Sequence, residues 1–199
     1  VQFGRSLVVP FIEDFLRRNP QVSINLLLLD RVVDLVEEGV DIAFRIAPLP
    51  DSTLHAVRIG EVVRVTCASP GYLRRRPALV HPVDVKAHDV VLFQGLSPSA
   101  HFVFASGGRM TRIAVSPRLT TNACDAALAA CRVGVGVGQF LSYMVEQDLR
   151  DRTLRRVLTD FEPPRIPASI VYAHSLAPST RVRVFVDEAV PAFRAALAR

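Results

Sequence analysis

The stretch that most constrains the fold spans residues 30–46, because its hydrophobic period changes from that of a helix to that of a strand. Its sequence is DRVVDLVEEGVDIAFRI. The first half has apolar residues at helical spacing (Val32, Val33, Leu35 and Val36), and Gly39 stands where a left-handed residue would end the helix. In the second half, apolar residues alternate with polar ones (Val40, Ile42, Phe44 and Ile46). The stretch therefore predicts a short helix followed by a buried strand, which is half of a βαβ unit.

The alternation of helix and strand continues on both sides of this stretch. Residues 7–16 form an apolar stripe of helical period, and residues 22–29 contain four consecutive leucines. Such a run predicts a strand that is buried on both faces, as in a parallel sheet covered by helices. Residues 54–68 are predicted to be one long or broken extended segment. Further strands are predicted at 90–93, 101–105, 109–115, 118–121 and 168–173, and a last amphipathic helix at 180–197. The predicted fold class is α/β.

A second informative block begins at Thr121. Asn122 is a preferred N-cap residue, and residues 126–130 are strong helix formers. The following residues 133–140, VGVGVGQF, predict a glycine-rich buried strand. These glycines follow the helix, whereas a phosphate-binding loop has its glycines between strand and helix. The block therefore predicts no nucleotide cofactor.

The sequence has no pattern typical of a catalytic or metal site. Its five histidines share no ligand spacing, and no Ser, Cys or carboxylate has a motif partner. Cys67, Cys124 and Cys131 are an odd number without C-x-x-C spacing, which favours reduced thiols in the core. We predict no enzymatic activity, no metal and no cofactor.

Charge and hydropathy limit the kinds of partner that the sequence predicts. The formal net charge is +5, but the basic residues are scattered, whereas nucleic-acid surfaces usually concentrate them. No apolar run approaches the ~20 residues of a membrane span, and the first residues lack the layout of a secretory signal. The sequence therefore predicts a cytoplasmic protein without membrane contact.

Five blocks of the sequence, in this order, resemble one protein family. They are FGRSLVVPFIEDFLRRNP, NPQVSINLLLLDRVVDLVEEGVDIAFRIAPLPDS, VTCASPGYLRRR, LTTNACDAALAACRVGVGVGQFL and PASIVYAH. Together they cover nearly the whole chain and resemble the effector-binding domain of LysR-type transcriptional regulators. The resemblance implies two Rossmann-like lobes of the type 2 periplasmic-binding-protein kind, joined by two crossover strands. Lobe I would comprise residues 1–67 and 169–199, and lobe II residues 68–168.

The resemblance also implies a function. The domain would sense a small-molecule effector, and DNA would be bound only by a winged helix-turn-helix region that precedes residue 1. It would form homodimers through contacts of lobe I with lobe II, and a tetramer of the full-length protein stays open. The hinge would lie at Thr66, Cys67, Ala68, Ile170, Val171 and Tyr172. A solute-binding protein of a transport system is the alternative, and an enzyme is the third choice.

The candidate ligand contacts lie at predicted strand ends and helix starts. In open α/β sheets, ligands gather at the carboxyl ends of strands, and N–H groups at helix starts bind anions. If helices open near Gly4 and at Thr121, the ligand is a small organic acid with its carboxylate between them. The predicted contacts are Phe3, Gly4, Arg5, Asp30, Arg31, Arg45, Ile46, Phe93, Gln94, Gly95, Phe102, Thr121, Asn122, Gln139 and Phe140.

Two alternatives stay open at this site. The family usually has an acid after the cap asparagine and a proline at the position of Leu141, and Ala123 and Leu141 depart from that pattern. The identity of the effector is therefore open. Asn122 could also serve only as the cap of its helix.

Overall fold

The chain forms two units in the computed structural model, which describes residues 1–31, 33–49, 54–173 and 180–198. Unit 1 comprises Val1–Val62 and Ile166–Arg199, and unit 2 comprises Val63–Arg165. The predicted turn at 48–52 lies partly outside the described residues. Val32, part of the predicted short helix, and His174 lie wholly outside them. The predicted α/β fold class is confirmed, because both units combine helices with sheets.

Unit 1 contains helices and an antiparallel sheet. Its first helix begins with a π-helical segment, Gly4–Val8, and continues as α1, Val9–Arg18. The sheet has the order β1-β10-β2, with both ladders antiparallel, and its strands are β1 (Ile42–Ile46), β2 (Leu54–Val62) and β10 (Ile166–Ala173). The last helix, α5, spans Thr180–Leu197. Aromatic side chains fill the core of the unit: Phe3, Phe11, Phe15, Phe44, Phe185 and Phe193.

The structure corrects two predictions in unit 1. Residues 22–29 form no strand, and Leu26, Leu27 and Leu29 are 39%, 55% and 44% exposed, so the predicted burial on both faces is wrong. The short helix predicted before Gly39 is a hydrogen-bonded turn. There the carboxylate of Asp34 accepts the N–H groups of Val36 and Glu37, as an N-cap does, but the chain makes only one turn before Gly39. Gly39 does adopt the predicted left-handed conformation, with φ +63°.

Unit 2 is built on a mixed sheet with the order β7-β4-β8-β3-β9. Its strands are β3 (Arg64–Ala68), β4 (Val90–Phe93), β7 (Pro117–Thr121), β8 (Val137–Leu141) and β9 (Arg155–Val157). Strand β4 runs parallel to both of its neighbours, β7 and β8, whereas β3 runs antiparallel to β8 and β9. A separate hairpin consists of β5 (His101–Ser106) and β6 (Arg109–Ala114). The helices of the unit are α2 (Pro70–Arg74), α3 (Cys124–Arg132) and α4 (Ser142–Arg150), with short 3-10 segments at Pro82–Ala87 and Thr159–Phe161.

The sheet of unit 2 is covered on both faces. Successive residues of β3 enter different clusters of buried side chains, with Cys67 in one and Ala68 in the other. The glycine at position 138 of β8 is required by close packing, because a Cβ there would overlap the ring of Phe140 and lie 2.8 Å from Cys131 Sγ. Burial on both faces holds the strands of this sheet in place, and it therefore positions their ends.

Candidate functional site

Two parallel strands of unit 2 end side by side. Phe93, the last residue of β4, pairs with Thr121, the last residue of β7, and Gln94 N donates to Thr121 O at 2.9 Å. Helix α3 begins three residues after the end of β7. We call residues 93–97 and 121–123 the β4–β7 edge. The structure thus brings the predicted contacts Phe93–Gly95 and Thr121–Asn122 together at the carboxyl ends of two parallel strands, which is where ligands of open α/β folds bind.

The start of α3 differs from the predicted cap. The N-cap residue is Ala123, which has an extended backbone and offers no side-chain oxygen, so the predicted cap role of Asn122 is wrong. The Asn122 side chain is exposed. Thr121 Oγ1 accepts the N–H of Ala123 at 3.1 Å, and Asp125 Oδ1 accepts the N–H of Ala126 at 2.9 Å. The carboxylate of Asp125 places a negative charge in the first turn, which weakens the attraction of this helix start for an anion.

An arginine that the sequence did not single out as a ligand contact lies at the β4–β7 edge. Arg64 opens β3 opposite Leu141, and its Nη1 donates to Leu96 O and Ser97 Oγ, each at 3.4 Å. Burial lowers the pKa of Arg64, and the nearby positive charge of Arg112 lowers it further. Among the described residues, neither arginine forms an ion pair with a carboxylate. The only sequence signal was that Arg64 interrupts the apolar pattern directly before the buried residues of β3.

Gln139 is buried and is held by the protein. Its Nε2 donates to Thr66 Oγ1 at 3.1 Å and to Val103 O at 3.0 Å, and its Oε1 accepts from Val103 N at 3.0 Å. The side-chain amide thus pairs with the backbone of β5 as a neighbouring strand would. Both of its N–H donors are used, so Gln139 links the β5–β6 hairpin to the sheet instead of offering a donor to a ligand.

Other predicted contacts in unit 2 are part of the core or support it. Phe102 and Phe140 are almost completely buried, each in a different cluster. Gly95 lies against the ring of Phe93, where a Cβ would come within 2.5 Å of Cζ. Phe102 and Phe140 are therefore core residues, and the ring of Phe93 lies against the backbone of the β4–β7 edge.

In unit 1, several predicted contacts have partners within the protein. Phe3 packs on Phe44 and Phe193, with ring centroids 5.7 and 6.0 Å apart. Gly4 is buried so closely against Leu28 that a Cβ would overlap that side chain. Arg5 is exposed.

The charged residues that flank the 33–39 turn are also engaged. Arg31 holds Glu38 with two hydrogen bonds of 2.7 and 2.9 Å, and Arg45 Nη2 donates to Val33 O at 2.8 Å. Asp30 Oδ1 lies 2.5 Å from the backbone nitrogen of Val1. Ile46 ends β1 and pairs with Ala168. Arg31 is therefore occupied by a carboxylate, whereas the hydrogen-bond partner of Arg45, like those of Arg64, is neutral.

The predicted hinge residues lie inside strands. Thr66, Cys67 and Ala68 belong to β3 of unit 2, and Ile170, Val171 and Tyr172 belong to β10 of unit 1. The chain changes unit between Val62 and Val63 and again between Arg165 and Ile166.

The three cysteines are buried, and none forms a disulfide bond. Burial raises the pKa of the Cys67 thiol and raises that of Cys131 to about 12. A thiol of this kind is protonated at neutral pH and is a poor nucleophile or metal ligand. Within the described part of the chain, no three His, Cys, Asp or Glu side chains are grouped as a metal site. No helix in the described ranges is long and apolar enough to span a membrane.

The two units each combine helices with a sheet, which is the architecture of periplasmic-binding-protein-like folds. Residues 1–194 match the family model of the LysR substrate binding domain. The chain belongs to this family.

Known relatives are transcriptional regulators. The chain is 30% identical over 187 residues to the uncharacterised HTH-type transcriptional regulator YhjC of Escherichia coli, covering 92% of this chain and 62% of YhjC. It is 27% identical over 198 residues to the probable HTH-type transcriptional regulator LtrA of Klebsiella pneumoniae, covering 96% and 64% of the two chains. The chain thus spans less than two thirds of the length of these relatives.

Solved structures share the fold. The regulatory domain of AphB from Vibrio vulnificus has a TM-score of 0.83 at 24% identity, with 98% of this chain and 93% of that chain covered. CrgA, a LysR-type regulator from Neisseria meningitidis, has a TM-score of 0.85 at 23% identity, with 97% and 66% covered.

Proposed function

We propose that this domain senses a small effector and thereby controls the DNA binding and transcriptional output of a LysR-type regulator. The observation that carries the proposal is the convergence of the β4 and β7 carboxyl ends with the start of α3 in a domain of this family. DNA would be bound by a winged helix-turn-helix that precedes residue 1, in a cytoplasmic protein. We propose no catalytic activity, in keeping with relatives that are regulators.

The effector class that we propose is a small organic acid bound between the two units. Support within unit 2 comes from Arg64 and from the backbone of the β4–β7 edge. The Asp125 carboxylate argues against a purely helix-based anion site, so we assign the larger share of the attraction to a side-chain cation. The alternative of a transport solute-binding protein has no support from the regulators that the chain resembles.

Binding would regulate the protein by changing the angle between the units, with residues 66–68 and 170–172 as the proposed hinge. The coupling needed for such a switch is about 1 to 3 kcal/mol. We also propose a homodimer in which each unit meets the other unit of its partner. The exposed leucines of residues 26–29 supply an apolar surface for that contact.

Calorimetric titration tests the effector class. The domain is titrated with small mono- and dicarboxylates and with neutral and cationic analogues of the same size, in wild type and in Asn122→Ala. Because Asn122 does not cap α3, the substitution is expected to leave stability unchanged and to weaken binding of a carboxylate that it contacts. Asn25→Ala, at an exposed position of unit 1, is the matched control. A protein that binds only the neutral or cationic compounds would refute the proposed effector class.

A further inference from the structure

We infer that His88 and Tyr72 form an acid-sensitive latch, which holds residues 70–88 against the sheet of unit 2 while His88 is neutral and releases them when His88 is protonated. These residues connect β3 to β4. All of the contacts that make up the latch lie within unit 2, and its action does not depend on the function proposed above.

The connection between β3 and β4 has few buried anchors. It contains the short helix α2, a run of exposed residues at 74–78 and the 3-10 segment Pro82–Ala87. Its buried residues are Tyr72, Val85 and His88, and the first two belong to one apolar cluster. A segment that is held by so few side chains can open locally while the rest of the domain stays folded.

His88 is buried with one ring nitrogen unsatisfied. The residue is 6% exposed, and its Nε2 is the only buried side-chain nitrogen or oxygen without a hydrogen-bond partner among the described residues. Its Nδ1 lies 3.2 Å from Tyr72 Oη. The same hydroxyl accepts the N–H of Asp89 at 2.9 Å and lies 3.4 Å from Asp89 O. In either neutral tautomer, Nδ1 and the hydroxyl can therefore share a hydrogen bond.

Protonation of His88 puts a hydrogen on both ring nitrogens. The Nδ1–H then donates to Tyr72 Oη, and the hydrogen of that hydroxyl turns to Asp89 O, so this side of the ring stays satisfied. The Nε2–H becomes a charged donor that is buried without an acceptor, which is strongly unfavourable. Opening of the segment lets water solvate the imidazolium, so protonation favours the open state.

The charged groups around His88 are already engaged. They are Arg76, which follows α2, Asp84 of the 3-10 segment, and Asp89, which precedes β4. Asp84 accepts two backbone N–H groups of the preceding turn at 2.9 and 2.7 Å, and Asp89 forms ion pairs with Arg76 and Arg118. Burial and then the charge of Arg76 lower the pKa of His88, and they outweigh the opposing effect of the two carboxylates. The closed segment therefore prefers the neutral imidazole.

The latch also meets the starts of three strands. Asp89 directly precedes β4, and its carbonyl oxygen accepts the N–H of Val137, the first residue of β8, at 2.9 Å. Its carboxylate binds Arg118, the second residue of β7. Opening at low pH would therefore loosen the beginning of the parallel part of the sheet together with the segment.

Amide hydrogen exchange, followed by NMR between about pH 7.5 and about pH 5, measures the opening. The reporter amides are those of Leu73, His88 and Asp89, each of which donates a hydrogen bond within the segment or to the latch. The amide of Ala127 in α3 is the reference for unfolding of the whole unit. Each rate is divided by the intrinsic exchange rate at the same pH, which gives the protection of that amide.

In wild type, the reporter amides should be about tenfold or more less protected than Ala127. They should also respond less to low concentrations of urea, because local opening exposes less surface than unfolding. Their protection should fall by up to about tenfold per pH unit below about pH 6.5, since the open state binds the proton that the closed state excludes.

Three variants assign the response to the latch. His88→Gln removes the titrating group and should abolish the acid response of the reporter amides. Tyr72→Phe keeps the buried imidazole and loses the hydroxyl, so it should raise their exchange about 5-fold at neutral pH and retain the acid response. His81→Gln, the control, changes an exposed histidine of the same segment and should behave as wild type.

Several results would overturn the latch. Reporter amides whose protection is equal at both ends of the pH range would show that no acid-sensitive opening exists. Reporter amides that match Ala127 in protection and in urea response would show that only the whole unit unfolds. A His88→Gln protein that keeps the acid response would assign the response to another group. Should His88→Gln not fold, NMR titration of the His88 ring in wild type decides: a pKa at or above about 6.5 overturns the latch, and a lower one supports it.

Discussion

Replacing Gln139 by leucine would show whether this side chain is a structural link or a ligand contact. Gln139 is 3% exposed, and its amide forms one hydrogen bond with Thr66 and two with the backbone of Val103. Leucine has a similar volume and cannot form these hydrogen bonds. The main effect of the substitution is therefore that Thr66 and the backbone of Val103 lose their hydrogen-bond partner.

The magnitude follows from those partners. A buried polar group that loses its partner costs about 1–3 kcal/mol. Val103 is half-buried and Thr66 can reorient its hydroxyl, so we take about 1 kcal/mol for each of the three bonds. Burial of a more apolar side chain offsets part of this cost. We expect Gln139→Leu to lower the free energy of unfolding by about 2–3 kcal/mol.

Urea denaturation followed by circular dichroism measures the change. Gln147→Leu is the matched control, because Gln147 is exposed on α4 and bonds only to Asp151 in the described contacts; its expected change is below about 0.5 kcal/mol. Combining Gln139→Leu with Thr66→Val in a double-mutant cycle isolates the bond between these side chains, with an expected coupling of about 1 kcal/mol. If Gln139→Leu is as mild as Gln147→Leu, our assignment of Gln139 as the link to the hairpin is wrong.

Three further predictions concern packing, pH and assembly. Gly138→Ala should destabilise the domain by about 1–3 kcal/mol because its Cβ would overlap Phe140, whereas Gly71→Ala, whose Cβ would meet no atom within 3.6 Å, should not; thermal melts that rank the two variants equally would contradict this. Burial lowers the pKa of His88, so the folded state binds fewer protons there than the unfolded state; stability should fall as the pH drops below about 6.5, and His88→Gln should remove this part of the pH dependence of urea unfolding. Leu27 is 55% exposed, and Leu27→Glu should convert the proposed dimer to monomer in light scattering at tens of micromolar; a wild type that is already monomeric there would refute the dimer.

Local patterns predicted several elements of both units correctly. The extended segment at 54–68 is present as β2 and β3, interrupted at Val63. The strands predicted at 101–105 and 109–115 are present as β5 and β6, which pair as a hairpin. Such features follow from the conformational preferences of a few neighbouring residues, and a single sequence is enough to detect them.

The misses arose where a local preference competed with something that the pattern does not contain. Four consecutive leucines indicated a buried strand, yet residues 26–29 find no strand partner within the described chain and remain largely exposed. Asn122 is a good cap residue, but the backbone becomes helical one position later, after Ala123. The residue that caps a helix depends on where the preceding strand ends, and the position of that end is set by the sheet.

The sequence by itself identified the family, because the order of the five blocks along the chain can be recognised without any knowledge of contacts. It also determined the α/β class, because helical and strand periods are local. Only the tertiary structure showed that Arg64 is hydrogen-bonded to the residues that follow β4 and that Gln139 is hydrogen-bonded to the backbone of Val103. These residues lie far apart in sequence and meet because the strand order β7-β4-β8-β3-β9 and the docked hairpin bring them together. Strand order is set by the packing of the whole unit, so no local period contains it.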